Sequence, residues 1–242
     1  MIKIISFLLA LFALNGCNSQ NTEIGKQDES LPKITIVNDN DCHDTDNISS
    51  PLALTAIQKQ GLYNTVLIET CNQKSQKGYM IFKSILEQYN SNTQLYYYTS
   101  KRYVDSPFTK NIEHYVKEPI LDYNAPNAIT SFELFLEQVE DYSVIYTTGG
   151  ELYFLEDFLK DNYRYQLFIT KVRSIYFGLG CDPTKECNRD FNLANSKEAQ
   201  KATTYVYNRL HNRIQFNVIT GDSKNNRVYD YYKNKDYIIQ CL

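Results

Sequence analysis

The 242-residue sequence predicts an α/β protein built on an open, mostly parallel sheet with helices on both faces. Three observations carry that expectation. Short β-branched or aromatic runs alternate with segments whose apolar residues recur at helical spacing. The intervals between the runs are long enough for crossover helices rather than hairpins. Hydrophobic residues make up 43% and charged residues 22%, the balance of a globular chain rather than a disordered one.

The elements follow in order. Ile34-Thr35-Ile36-Val37 is the first expected strand, followed by a polar, acidic stretch and a helix from about Pro51. Val66-Leu67-Ile68 is the second strand, and Tyr79, Phe82, Leu86 and Tyr89 then recur at helical spacing. A third strand is expected at Leu95 to Tyr98. Ile129, Phe132, Leu136 and Val139 mark a helix with Asn127 as its N-cap. Val144-Ile145-Tyr146 is a strand, after which Gly149-Gly150 opens a helix through Leu152, Leu155 and Leu159. Ser174 to Phe177 is a strand, Ala199, Ala202, Val206 and Leu210 line a helix, and Ile214 to Ile219 closes the series. Residues 106–124 carry no clear periodicity. In sheets of this class the ligand sits at the carboxyl ends of the strands, so a functional motif should fall directly after a strand.

Residues 1–16 read as an export signal, with Lys3 as the positive region and Ile4 to Leu14 as an apolar core too short to span a bilayer. Leu14-Asn15-Gly16-Cys17 resembles the bacterial lipobox, which implies an acylated Cys17 as the anchor to the lipid bilayer. Asn18, where an Asp would suggest inner-membrane retention, directs the expectation to the outer membrane if the host has two. Residues 17–32 form the lipidated cysteine and a flexible tether, and 33–242 the folded domain. Export leaves Cys42, Cys71, Cys181, Cys187 and Cys241, an odd number in an oxidising compartment. Cys181 with Cys187 and Cys42 with Cys71 are candidate pairs, and the pairing stays open. A net charge of −3 argues against nucleic acid as a partner.

The chemistry clusters after the strands. Asp39-Asn40-Asp41-Cys42-His43-Asp44-Thr45-Asp46 places four carboxylates in eight residues, which repel one another unless they are solvated or bound to a cation. Oxygen ligands at such spacing suit Ca²⁺ or Mg²⁺, although the run lacks the Gly and Glu of an EF-hand. Taken alone, a solvated acidic loop is the simpler reading. Its position argues otherwise, because other polar signals recur after other strands: Glu69-Thr70-Cys71-Asn72, Thr147-Thr148-Gly149-Gly150, Gly178-Leu179-Gly180 and Asp190-Phe191-Asn192. Together they describe one crevice.

These segments resemble the calcium-dependent inosine/uridine-preferring nucleoside hydrolases. The family's opening Asp-x-Asp-Pro-Gly-x-Asp-Asp loop is matched by Asp39, Asp41 and Asp46, and its Asn after the second strand by Asn72. Its Thr-Gly turn is matched by Thr148-Gly149. Its Glu-Phe-Asn segment and the following helix are similar to Asp190-Phe191-Asn192 through Ala199. The resemblance implies a nucleoside hydrolase-like fold in which Asp41, Asp46 and the Thr148 main-chain carbonyl hold Ca²⁺. It further implies that Asp41 takes a proton from the attacking water, and that Asp39, Asn72, Asp190 and Asn192 bind a nucleoside or other small sugar ligand. Such relatives often form dimers or tetramers, and here the oligomeric state stays open between a monomer and a homo-oligomer.

Several positions depart from the family pattern. Thr45 stands where the family has a ribose-binding aspartate, Cys42-His43 replaces Pro-Gly, and a few residues are inserted between Asp46 and the helix expected at Pro51. The downstream His-Asp pair, whose Asp completes the family's calcium shell, has no counterpart. Of the histidines, His43 and His114 are candidate ligand contacts, whereas His211 is expected to cap the helix it follows. Three functions are open at this point. They are a Ca²⁺-dependent hydrolase of N-ribosides on a membrane-anchored lipoprotein, a catalytically weakened nucleoside or sugar binder, and an interaction lipoprotein that uses the fold as a scaffold.

Overall fold

The computed structural model describes residues 33–41, 45–71, 77–100, 125–177, 197–219 and 228–230. Among the described residues, seven strands form one sheet in the order β3-β2-β1-β4-β5-β6-β7. They are β1 (Thr35–Asp41), β2 (Asn64–Cys71), β3 (Gln94–Thr99), β4 (Val144–Thr148), β5 (Val172–Phe177), β6 (Gln215–Ile219) and β7 (Val228–Asp230). The first six are parallel, and β7 pairs antiparallel with β6. The expected α/β architecture is therefore present. Strand β7 was not expected, because three residues are too few to show a periodicity.

Helices α1 (Thr45–Lys59), α2 (Lys77–Gln88), α3 (Ala128–Gln138), α4 (Tyr153–Leu159), α5 (Asn162–Lys171) and α6 (Lys197–Leu210) cover the two faces. Strand alternation assigns the faces. Ile36 and Leu67 pack with Leu54 and Ile57 of α1 and with Ile81 and Phe82 of α2. Val37, Val66, Ile68 and Tyr146 point the other way, into a larger core filled by α3, α4, α5 and α6. Phe132 sits at the centre of that core, with ring centroids of Phe158, Phe154, Phe135, Tyr146 and Phe168 at 5.1, 5.8, 5.9, 6.1 and 6.5 Å.

Several boundaries correct the sequence expectations. The first strand runs to Asp41 rather than ending at Val37, so Asp39, Asn40 and Asp41 are strand residues. Parallel pairing to β2 on one side and β4 on the other holds them there, which polar composition alone does not reveal. Helix α1 starts at Thr45, not Pro51, and carries Pro51 inside it. A proline mid-helix removes one hydrogen bond without ending the helix when packing holds it. Strand β2 likewise extends to Cys71, which brings Glu69 and Thr70 inside the sheet.

The helix after Gly149-Gly150 begins at Tyr153, and a second helix, α5, follows it. Asp161 caps α5 by accepting from Arg164 N at 3.0 Å. As expected, Asn127 caps α3, its side chain accepting from Thr130 N. His211 follows α6, its Nδ1 lying 3.0 Å from the Tyr207 carbonyl and its ring stacked on Tyr207. No helix among the described residues is long and apolar enough to cross a membrane. Cys17 and the segments 1–16 and 17–32 lie outside the described residues, as do Cys42, His43, His114, Cys181, Cys187 and Cys241.

Candidate functional site

In a parallel sheet, neighbouring strands whose connections leave in opposite directions open a crevice at their carboxyl ends. Here that switch point lies between β1 and β4, since β2 and β3 extend the sheet on one side and β5 and β6 on the other. The residues at the crevice are Asp39 and Asp41 from β1 and Thr148, Gly149 and Gly150 from the end of β4. Asp39 and Thr148 are register partners, and Gly149 N donates to the Asp39 carbonyl at 3.0 Å.

Asp41 leans across this junction onto the glycine turn. A Cβ placed on Gly150 would lie 2.8 Å from Asp41 Oδ2, closer than real Cβ atoms approach, and 3.2 Å from its Cγ. Glycine at 150 lets the backbone come this near the carboxylate without displacing it. Thr148 is fully buried, and its hydroxyl donates to the Gly150 carbonyl at 3.3 Å, which folds the turn back on itself. Two segments more than a hundred residues apart in sequence meet at one carboxylate.

Asp39 and Asp41 are 1% and 2% exposed, so the solvated-loop reading does not hold for either. Tyr146 Oη donates to Asp39 Oδ2 at 2.6 Å, and Thr70 Oγ1 to Asp39 Oδ1 at 3.4 Å, tying β4, β1 and β2 together. Burial pushes the Asp39 carboxyl up to about 7; the Tyr146 hydrogen bond opposes this, and the neighbouring Asp41 charge adds to it. The Tyr146 hydroxyl is held well above its ordinary range by burial and by the Asp39 charge it faces.

On the opposite face of the sheet, Asn38 Nδ2 donates to Thr147 Oγ1 at 2.9 Å, and the Thr147 hydroxyl donates to the Val37 carbonyl. Asn40 Nδ2 donates to Ser50 Oγ of α1 at 2.6 Å, while its Oδ1 accepts from Asp41 N at 3.0 Å. Asn40 thereby fixes the end of β1 against α1. Glu69, the register partner of Asn40, is 0% exposed, and burial together with the Asp41 and Asp39 charges holds its carboxyl well above the usual range. Sequence reading placed Glu69 in a loop. A lone acid between Ile68 and Thr70, beside an apolar run, is the signal that would have marked it.

Of the expected site residues, the structure brings Asp39, Asp41 and Thr148 together. Asp46 lies in the first turn of α1, and its side chain is outside the described set. Asn72, Asp190 and Asn192 lie outside the described residues altogether.

No family model and no curated protein sequence matches this chain.

The metal expectation rests on the donors themselves. The Asp41 carboxylate and Thr148 carbonyl are hard oxygens of the kind calcium takes, but calcium requires roughly six to eight. Among the described residues, no group of three or more His, Cys, Asp or Glu side chains is placed to hold a metal ion. The described donors fit in kind and supply part of a shell.

Proposed function

We propose that this crevice binds a divalent cation together with a nucleoside or related N-riboside and hydrolyses its N-glycosidic bond. One observation carries the reading. Asp41 and the Thr148-Gly149-Gly150 turn, which resemble separate parts of a nucleoside hydrolase site, meet at the switch point of the sheet with Asp41 Oδ2 packed on Gly150.

In this reading Asp41 and the Thr148 carbonyl would hold calcium, with Asp46 as a further ligand. Calcium, when bound, supplies a hard positive centre for the sugar diol and water oxygens. Asp41 accepts the proton of the attacking water, a contribution of about 10²–10⁴-fold in rate. Its carboxylate also favours the positive charge that develops on the sugar as the bond to the base breaks. Asp39, expected to contact the ligand, is buried with both oxygens bonded, to Tyr146 and Thr70, so in this reading it instead positions the strand end that carries Asp41. Asn72, Asp190 and Asn192 bind the ribose hydroxyls. On the export reading, acylated Cys17 holds the enzyme at the envelope membrane.

The test is release of free base from a panel of ribonucleosides by the purified full-length chain, with CaCl₂ and with EDTA. Base release that needs calcium and is lost in Asp41→Ala supports the proposal. Nucleoside binding without base release would leave a binder on the same crevice. Neither binding nor release would remove the crevice reading.

A further inference from the structure

The face of the sheet covered by α1 and α2 carries a second polar feature, separate from the crevice. Neither carboxylate oxygen of Glu69 has a hydrogen-bond partner among the described residues, and neither does Oδ1 of Asn38. All three atoms are buried. Register places Asn38 beside Leu67 and Asn40 beside Glu69, so Asn38 and Glu69 are diagonal neighbours on one face of adjacent strands. Two nearby amide donors are engaged elsewhere: the Asn38 amide nitrogen bonds Thr147, and the Asn40 amide bonds Ser50.

Three buried acceptor oxygens with no donor among the described residues are costly, because each has lost its water without gaining a partner there. A proton on Glu69 makes one hydrogen bond and leaves another acceptor bare. A small cation lodged between the two side chains would give all three a partner. One carboxylate and one amide oxygen on that face match a single positive charge.

We infer that Glu69 and Asn38 form a binding site for a small alkali cation between the sheet and helices α1 and α2. The site stands on these two residues and does not depend on the hydrolase reading. By holding β1 and β2 together behind Asn40, it steadies the strand end that presents Asp41.

The test is thermal unfolding of the full-length chain in KCl, NaCl or choline chloride at equal ionic strength, with divalent ions removed by choline-neutralised EDTA. Equal ionic strength removes general screening. A Tm about 2–4 °C higher in KCl or NaCl than in choline chloride is expected. Glu69→Gln abolishes that difference, Asn38→Ala reduces it while keeping the carboxylate, and Asp41→Ala retains it. Equal Tm values in all three salts would overturn the site and leave a proton on Glu69. A difference that survives Glu69→Gln would also overturn it, by placing the ion elsewhere. Should Glu69→Gln fail to fold, an unchanged alkali response in Asn38→Ala has the same force.

Discussion

Asp39 holds its proton over a range in which an unfolded chain has already released it. Its carboxyl sits at about 7 in the fold against an ordinary 3.8, with burial as the main cause. Between those values the folded state binds more protons than the unfolded one, so stability falls as pH rises through the window and levels off above it. At 1.36 kcal/mol per unit the full shift corresponds to ~4 kcal/mol. Asp39→Asn preserves an acceptor for Tyr146 and removes this titration. The stability of wild type relative to Asp39→Asn, measured by urea unfolding in EDTA, should therefore decline from pH 4.5 to 7.5, and a constant difference would refute the assignment. Gly150→Ala tests the junction directly. Its methyl displaces the Asp41 carboxylate, the movable end of a side chain, so folding costs about 1–3 kcal/mol, and on the proposed reading calcium binding is lost with it. Calorimetry of CaCl₂ binding to the variant checks it. Asp39, Asp41 and Thr148 were legible from their place after apolar runs. Tyr146 and Glu69 were not, because their roles arise from neighbours on other strands.

The elements differ in how far local sequence determines them. Helix α3 shows its apolar spacing and its cap openly, and both appear in the fold. Asn127→Ala should cost about 1 kcal/mol, since one N-terminal amide loses its acceptor. Phe132→Ala, at the centre of the aromatic core, should cost about 3–5 kcal/mol. Chemical denaturation of the two variants separates them, and similar losses would contradict the packing described. Helix α5 was hidden because only Phe168 of its residues is buried, which leaves no apolar stripe to read. Strand β1 was read short because Asn38 to Asp41 look like a loop. Tertiary pairing overrides their weak strand propensity. The same override carries α1 through Pro51 and brings Asp46 into a helix rather than a loop.

At the scale of the whole molecule, alternation of strand and helix made the parallel sheet legible, but nothing in the sequence alone ordered its strands. The order is what gives the acidic residues a place, by setting β1 beside β4 at the point where the connections diverge. There Asp41, the Thr148 turn and the buried Asp39 form a junction that a cation would tighten from both strands. The most direct test is thermal unfolding of the full-length chain with millimolar CaCl₂ and with EDTA, for wild type and Asp41→Ala. A ligand present at 100 times its Kd stabilises the native state by about 2.7 kcal/mol. For a chain of this size that amounts to a Tm rise of about 5–10 °C. The account predicts that rise in wild type and its absence in Asp41→Ala. Equal Tm values for wild type in CaCl₂ and EDTA would contradict it.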